Sequence, residues 1–338
     1  MRRPAVGIFD EINREVPLRR MLAKIKLCYA NGADLVYFCY DDIDFENDTV
    51  NARVWTPDGF KRERVMLPCW IECDGSYKCR DYFREKARVA DDFKFSKKDL
   101  YDFLINTEFA DMVIPTMYTA NPQNVLGFLA MWSEIIVKPF VGSQGMSVIS
   151  LKRAEEGYVL HDADKGARSL TKAEAVSFLE EMYEKCTVIV QPRMNFVNKD
   201  GNTMDFRINV AKNGRGEWET MFIVPRTSRG NIISNLSHGG YASKPEPTIE
   251  IDYKENADKV LGILEHIGRT LPPLLENAGD DNVMALGIDV GFDYSTLSPY
   301  IIEVNNVPQV TSRGQLKYYM TQADYLTYLS KEVHKGNY

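Results

Sequence analysis

Two apolar runs constrain this chain more than any other feature: Leu286-Gly287-Ile288-Asp289-Val290-Gly291 and Tyr300-Ile301-Ile302-Glu303-Val304-Asn305-Asn306-Val307-Pro308. They flank a short turn-forming stretch and read as an antiparallel hairpin with acids inside its strands. Period-two alternation places Tyr300, Ile302 and Val304 on one face and Glu303 with Asn305 on the other, roughly 7 Å apart. With the connection from Asp293 to Ser298 centred on Thr296, Asp289 lies directly across from Glu303. Two carboxylates about 5 Å apart repel unless a cation sits between them. An all-oxygen set with no His or Cys nearby points to a hard ion of the magnesium type, held by Asp289, Glu303 and Asn305. Alone, two acids and an Asn near a turn are more often a solvated hairpin than a site, so the motifs upstream carry the weight.

The segment Glu134-Ile135-Ile136-Val137-Lys138 is a short apolar strand, and Ser147-Val148-Ile149-Ser150-Leu151 returns after Pro139-Phe140-Val141-Gly142-Ser143-Gln144-Gly145-Met146. Glycines at 142 and 145 let backbone N–H groups converge on an anion without Cβ clashes, with Ser143 and Gln144 between them and Lys138 supplying charge at the strand end. Neither a phosphate loop with Gly-Lys-Ser/Thr nor a Gly-x-Gly-x-x-Gly fingerprint occurs, so the loop reads as a flap over phosphates of another kind. In Asp205-Phe206-Arg207-Ile208-Asn209-Val210 the apolar residues alternate with Asp205, Arg207 and Asn209, which share one face. The planar fork of Arg207 donates two hydrogen bonds and stays ionised, which suits phosphate or an acyl phosphate. Asn235, Ser237, His238, Gly239 and Gly240 form a second small-residue loop able to donate N–H groups to a phosphate or a substrate carboxylate.

These motifs, in this order, resemble the ATP-grasp superfamily, and within it the YheC/YheD type associated with endospore coats of spore-forming bacteria. The resemblance runs over nearly the whole chain through Val137-Lys138-Pro139, Gly142-Ser143-Gln144-Gly145, Gln191-Pro192, Asp205-Phe206-Arg207, Asn235-Leu236-Ser237-His238-Gly239-Gly240 and the acidic hairpin. It implies an α/β ATP-grasp fold with nucleotide between two lobes and a small preceding domain. The divisions it suggests are residues 1–95, a central or lid lobe over 96–190 and a C-terminal lobe over 191–338. It implies ATP and Mg2+ as cofactors, with a nucleotide lysine near the start of the helix that Ser96 caps. Lys97 is the better match and Lys98 the fallback. It also implies that the backbone of Gln191, Pro192, Arg193 and Met194 reads the adenine edge, with Met194 flanking the ring.

The activity expected is a carboxylate–amine ligase that forms an amide through an acyl phosphate, with Arg207 and Asn305 at the reacting groups. A scaffold protein keeping the fold without catalysis and an ATP-dependent kinase are the alternatives. No side-chain nucleophile is required, and no Gly-x-Ser-x-Gly elbow is present.

At 338 residues and 44% hydrophobic content the chain can fill more than one core. Its formal charge of −7 argues against nucleic acid or an anionic membrane surface as partner, and the resemblance implies small-molecule or peptide carboxylate and amine substrates. With no apolar run long enough to span a bilayer and no signal-peptide core after Met1, the chain reads as soluble and cytoplasmic. Cys69, Cys73 and Cys79 lack zinc-type pair spacing. The acidic run Asp41 to Asp48 lacks a calcium-loop pattern and reads as a solvated edge. Further elements expected are a β-α-β start (Val6 to Phe9, Leu18 to Tyr29, Asp34 to Tyr40), a helix from Ser96 burying Leu100, Phe103 and Leu104, a helix Lys172 to Tyr183 and a buried strand Thr187 to Gln191.

Overall fold

The computed structural model describes residues 1–12, 17–73, 78–90, 95–119, 121–140, 148–162, 165–183, 187–230, 232, 234, 239–278, 283–306 and 314–336. Among these residues the chain forms three sheets. The first contains β1 (Val6–Asp10), β2 (Leu35–Cys39), β3 (Ile43–Asp44), β4 (Thr49–Thr56), β5 (Gly59–Met66), β6 (Trp70–Cys73) and β7 (Arg88–Ala90), with helices α1 (Arg19–Ala30) and α2 (Arg80–Lys86). Its order is β3-β4-β2-β1-β6-β7, with β5 on β4. β1, β2, β6 and β7 run parallel, and the crossover through α1 is the expected β-α-β start. Met21, Ile25 and Cys28 of α1 pack with Val6 and Ile8 of β1. Residues spaced by three or four along a helix share one face, which is why this segment can cover a sheet.

Helix α3 (Lys97–Leu104) opens as expected on Ser96, whose hydroxyl accepts from the Asp99 backbone N–H while the Asp99 carboxylate accepts from the Ser96 N–H. Its buried residues are Leu100, Tyr101 and Leu104, whereas Phe103 is only half-buried. Instead of packing on the sheet that follows it, α3 joins the core of the third sheet, where Leu100 and Leu104 sit with Phe206, Ile208 and Val304.

The second sheet contains β8 (Met117–Thr119), β9 (Glu134–Pro139), β10 (Ile149–Arg153), β11 (Tyr158–Asp162), β12 (Gly166–Leu170) and β13 (Val188–Pro192), with α4 (Pro122–Met131) and α5 (Lys172–Tyr183). Its order is β12-β11-β10-β9-β13-β8. The third contains β14 (Thr203–Lys212), β15 (Trp218–Ser228), β16 (Tyr241–Ala242), β17 (Ala285–Phe292) and β18 (Pro299–Asn306), in the order β16-β15-β14-β17-β18. One face packs on α6 (Pro245–Tyr253) and α7 (Ala257–Asn277), where Val260, Leu264, Ile267 and Leu271 meet Phe206, Ile208 and Val210. The other face is covered at one end by α8 (Gln315–His334). Tyr318 of α8 packs against Ala211 and Ala285, and further along Leu326 and Leu329 join the first sheet's core. That second face is left for chemistry at its other end.

The acidic run differs from a plain solvated edge. Asp42 is nearly buried, 6% exposed at its side chain, between Arg53 and Arg62, while Asp44 pairs with Arg64 and Asp48 with Lys86. Arg53, Arg62 and Arg64 of the β4–β5 hairpin take up Asp42 and Asp44, and Lys86 of α2 takes up Asp48, pairings between elements that periodicity does not show.

Helix α7 approaches the sheet closely at Gly268, where an added Cβ would lie 2.5 Å from Thr220 Oγ1 and 3.0 Å from Ile208 Cγ2. Alanine favours helix by about 1 kcal/mol over glycine, but overpacking costs about 1–3 kcal/mol. Gly268→Ala is therefore expected to leave stability unchanged or lower it by up to about 2 kcal/mol in urea unfolding, whereas a gain would show the contact is slack.

Candidate active site

The acidic hairpin sets the site. Pairing from its closed end runs Phe292–Pro299, Gly291–Tyr300 and Val290–Ile301, and then shifts, so that Asp289 faces Glu303. Ile302 is the extra residue of a bulge. The expected opposition of the two acids holds, but the expected alternation does not. Ile301 and Val304 fill the core, while Tyr300 and Ile302 are only half-buried, because an inserted residue re-aims the side chains on one side of it.

Register across the sheet builds two rows on one face. Arg207, Asp289 and Glu303 are neighbours in the first, and Asn209, Gly287 and Asn305 in the second. Asp289 is 4% exposed, and Arg207 grips both of its oxygens, Nη2 reaching Oδ2 at 2.8 Å. Arg226 of β15 donates to Asp205 from Nε at 2.7 Å and from Nη2 at 2.5 Å, and its Nη2 also lies 3.1 Å from Asp289 Oδ2. Burial by itself pushes the Asp289 carboxyl up, but the two guanidinium groups outweigh it and hold it below the usual carboxylate range. The cations that compensate Asp289 are thus arginines, which residue-by-residue alternation along one strand cannot reveal.

Glu303 is freer, 31% exposed, with Lys97 Nζ 3.6 Å away. Lys138, half-buried on β9, also feels it: burial pushes the lysine ammonium down and Glu303 pulls it back up. A cavity of about 200 Å³ opens here, lined by Lys97, Tyr101, Glu303 and Asn305 among others. Tyr101 donates to the Ile302 carbonyl at 2.7 Å, and burial pushes its phenol up to about 12. It ties α3 to the bulge.

Gln191 and Pro192 end β13, Arg193 and Met194 follow, and the Gln191 side chain meets Tyr101 of the cavity wall. Gln191 turns its side chain inward to donate to Thr116 Oγ1 at 2.8 Å. Pro192 has no N–H, and Arg193 gives its backbone N–H to the Glu134 carbonyl at 3.0 Å and its guanidinium to the Glu134 carboxylate at 2.6 Å. Among the described residues, the Met194 N–H has no protein acceptor. Gly239 and Gly240 lead into β16, whose Ala242 pairs with Arg226. Gly142, Ser143, Gln144 and Gly145, and likewise Asn235, Ser237 and His238, lie outside the described residues.

Arg226 and Tyr101 are the site residues that sequence reasoning missed. Nothing local marks Arg226, because its partner Asp205 is met only through the long β14–β15 hairpin, whose register shifts after Asn209. Among the described residues no three His, Cys, Asp or Glu side chains gather as a metal cluster. The donors available to a cation are Asp289, Glu303 and the Asn305 amide, an all-oxygen set on one face that fits a hard divalent ion.

The solved structures that resemble this chain share the ATP-grasp fold. The ATP-grasp ligase PsnB, complexed with minimal precursor, Mg and ADP, aligns with a TM-score of 0.53 at 10% identity over 96% of this chain and 98% of that one. A RimK domain ATP-grasp protein from Sphaerobacter thermophilus aligns at 0.52 and 13% identity, over 97% and 98%. The profile of YheC/D-like ATP-grasp proteins matches residues 86–330, and the chain belongs to that family. It is 23% identical to the endospore coat-associated protein YheD of Bacillus subtilis over 90% of this chain and 72% of that one. It is 29% identical to the glutathione synthetase of Mesorhizobium japonicum, over 56% of this chain and 48% of that protein.

Tyr101→Phe removes the donor to the Ile302 carbonyl beside Glu303. Urea unfolding is expected to show a loss of about 1 kcal/mol, and an unchanged midpoint would show that the bond contributes nothing.

Proposed function

We propose that this chain is an ATP- and Mg2+-dependent ligase that joins a carboxylate to an amine through an acyl phosphate. The observation that carries the reading is the row Arg207, Asp289, Glu303 with Asn305 alongside and Lys97 and Lys138 directed at Glu303. Two carboxylates, an amide oxygen and three cations around one cleft suit phosphoryl transfer, which asks for charge placement and orientation more than covalent chemistry. The names of relatives support it: PsnB is an ATP-grasp ligase complexed with Mg and ADP, and the Mesorhizobium protein is a glutathione synthetase.

Asp289, Glu303 and Asn305 would hold the magnesium ion, which supplies charge screening to the phosphates when bound. Lys97 and Lys138 bind phosphate oxygens, and the Met194 N–H donates to the adenine edge, since Arg193 has spent its own. Arg207 takes the γ-phosphoryl group as it moves to the substrate carboxylate, giving ADP and an acyl phosphate. The amine nitrogen then attacks the acyl carbon, the C–O bond to phosphate breaks, and inorganic phosphate leaves while the nitrogen gives up a proton. Residues 1–95 serve as the preceding domain, 96–190 as the central lobe except that α3 packs in the third sheet's core, and 191–338 as the C-terminal lobe. Such a ligase, drawing on ATP, acts in the cytoplasm. No described helix is long and apolar enough to cross a membrane.

Glu303→Gln keeps shape and removes charge. Calorimetry of ATP with Mg2+ is expected to show affinity weakened by roughly 10–100-fold with the melting temperature little changed, and unaltered affinity and turnover would remove Glu303 from the metal set. With carboxylates and amines screened in pairs, hydroxylamine is expected to trap the acyl phosphate as a hydroxamate while ADP and phosphate accumulate. A stable phosphorylated product would identify a kinase instead, and no ATP binding or turnover with any pair would leave a scaffold.

A further inference from the structure

The two arginines that hold Asp289 are not equivalent. Arg226 closes a fork on Asp205 and also touches Asp289, with its side chain 9% exposed. Moving it would leave two nearly buried carboxylates, Asp205 and Asp289, without that charge. Arg207, 14% exposed, has Asp289 as its ion-pair partner among the described residues, and if it leaves, Arg226 still contacts the same carboxylate. Stripping one partner from a buried pair is costly because the charge left behind is uncompensated, so the cheaper move is that of Arg207.

The proposed reaction makes two demands that this arrangement sets against each other. Asp289 has to offer an oxygen to a cation, and Arg207 has to face phosphate. With Arg207 bonded to both Asp289 oxygens, neither demand is met until their fork opens.

We propose that Arg226 is a positioning residue, anchored on Asp205 to keep Asp289 in place, while Arg207 is the exchangeable partner that yields Asp289 to the divalent cation and turns to the transferred phosphate. The inference rests on the metal assignment made above. Its consequence is an order of events: until the cation displaces the Arg207 fork, the arginine that stabilises the moving phosphoryl group is not available to it. Chemistry is thereby coupled to metal loading.

Mn2+ serves as a paramagnetic probe, titrated into the full chain without nucleotide and followed by electron paramagnetic resonance. Lysine at either position keeps the charge but lacks the planar fork. Arg207→Lys is expected to bind Mn2+ several-fold more tightly than the wild type, because the competitor for Asp289 is weaker while the local charge is unchanged. Arg226→Lys is expected to bind it on the order of tenfold more weakly, because Asp289 is no longer held in place. Asp205→Asn, which frees Arg226 but leaves both arginines intact, is expected to weaken binding in the same direction, and it carries the test if Arg226→Lys fails to fold. Unchanged or weaker Mn2+ binding in Arg207→Lys overturns the exchange. A lowered melting temperature with wild-type Mn2+ affinity, in Arg226→Lys or in Asp205→Asn, overturns the positioning role. A wild type that takes no Mn2+, with or without a non-hydrolysable ATP analogue, sinks the metal assignment and this inference together, whereas a wild type that binds and variants that match it sink this inference alone.

Discussion

A carboxylate with 4% of its surface exposed has to be charge-compensated in place, and the compensation of Asp289 organises what surrounds it. Two guanidinium groups reach it from β14 and β15, and the second is itself pinned by Asp205. The result is an alternating chain of charges, Arg207, Asp289, Arg226 and Asp205, laid across three adjacent strands. Buried ion pairs of this kind add little net stability, because desolvation offsets much of the attraction. What they do fix is geometry, and a fixed carboxylate beside a freer one, Glu303, is an asymmetric pair suited to receiving a cation on one side.

The bulge at Ile302 is the second constraint. It lets one strand serve two incompatible masters: Ile301 and Val304 both reach the core, three residues apart, while Glu303 stays on the working face opposite Asp289. A regular strand alternates strictly and could not bury residues three apart on one side. The carbonyl of the extra residue is held by Tyr101 of α3, so the irregularity is tied to the helix that also carries Lys97.

Around this hairpin the three sheets contribute unequally. The second sheet delivers Lys138 to Glu303 from β9, and its strand β13 runs out through Gln191 and Pro192 to the Met194 N–H, which has no acceptor among the described residues. Helix α3 belongs by packing to the third sheet's core, although it precedes the second sheet in the chain. Helix α8 joins the first and third sheets, since one stretch of it packs on Ala211 and Ala285 and the next on α1. Because the working face is covered by α8 at one end only, the cleft opens at the end where the charges lie.

The sequence by itself determined the elements whose periodicity is local: the β-α-β start, the Ser96 cap, the helix Lys172–Tyr183 and the opposition of Asp289 to Glu303 across a short turn. Each of these depends on neighbours within one helix, one cap or one hairpin, where spacing translates directly into contact. Tertiary structure alone decided the pairing of Arg226 with Asp205 and Asp289, the burial of Asp42 between two arginines, the role of Tyr101, and which face Ile301 and Ile302 take. A bulge shifts register by one residue and reverses every side chain beyond it, and a salt bridge between distant strands needs a register that no single strand encodes. The chemistry was therefore legible as a set of residue types, while the division of labour among its charges came only from the way the strands are aligned.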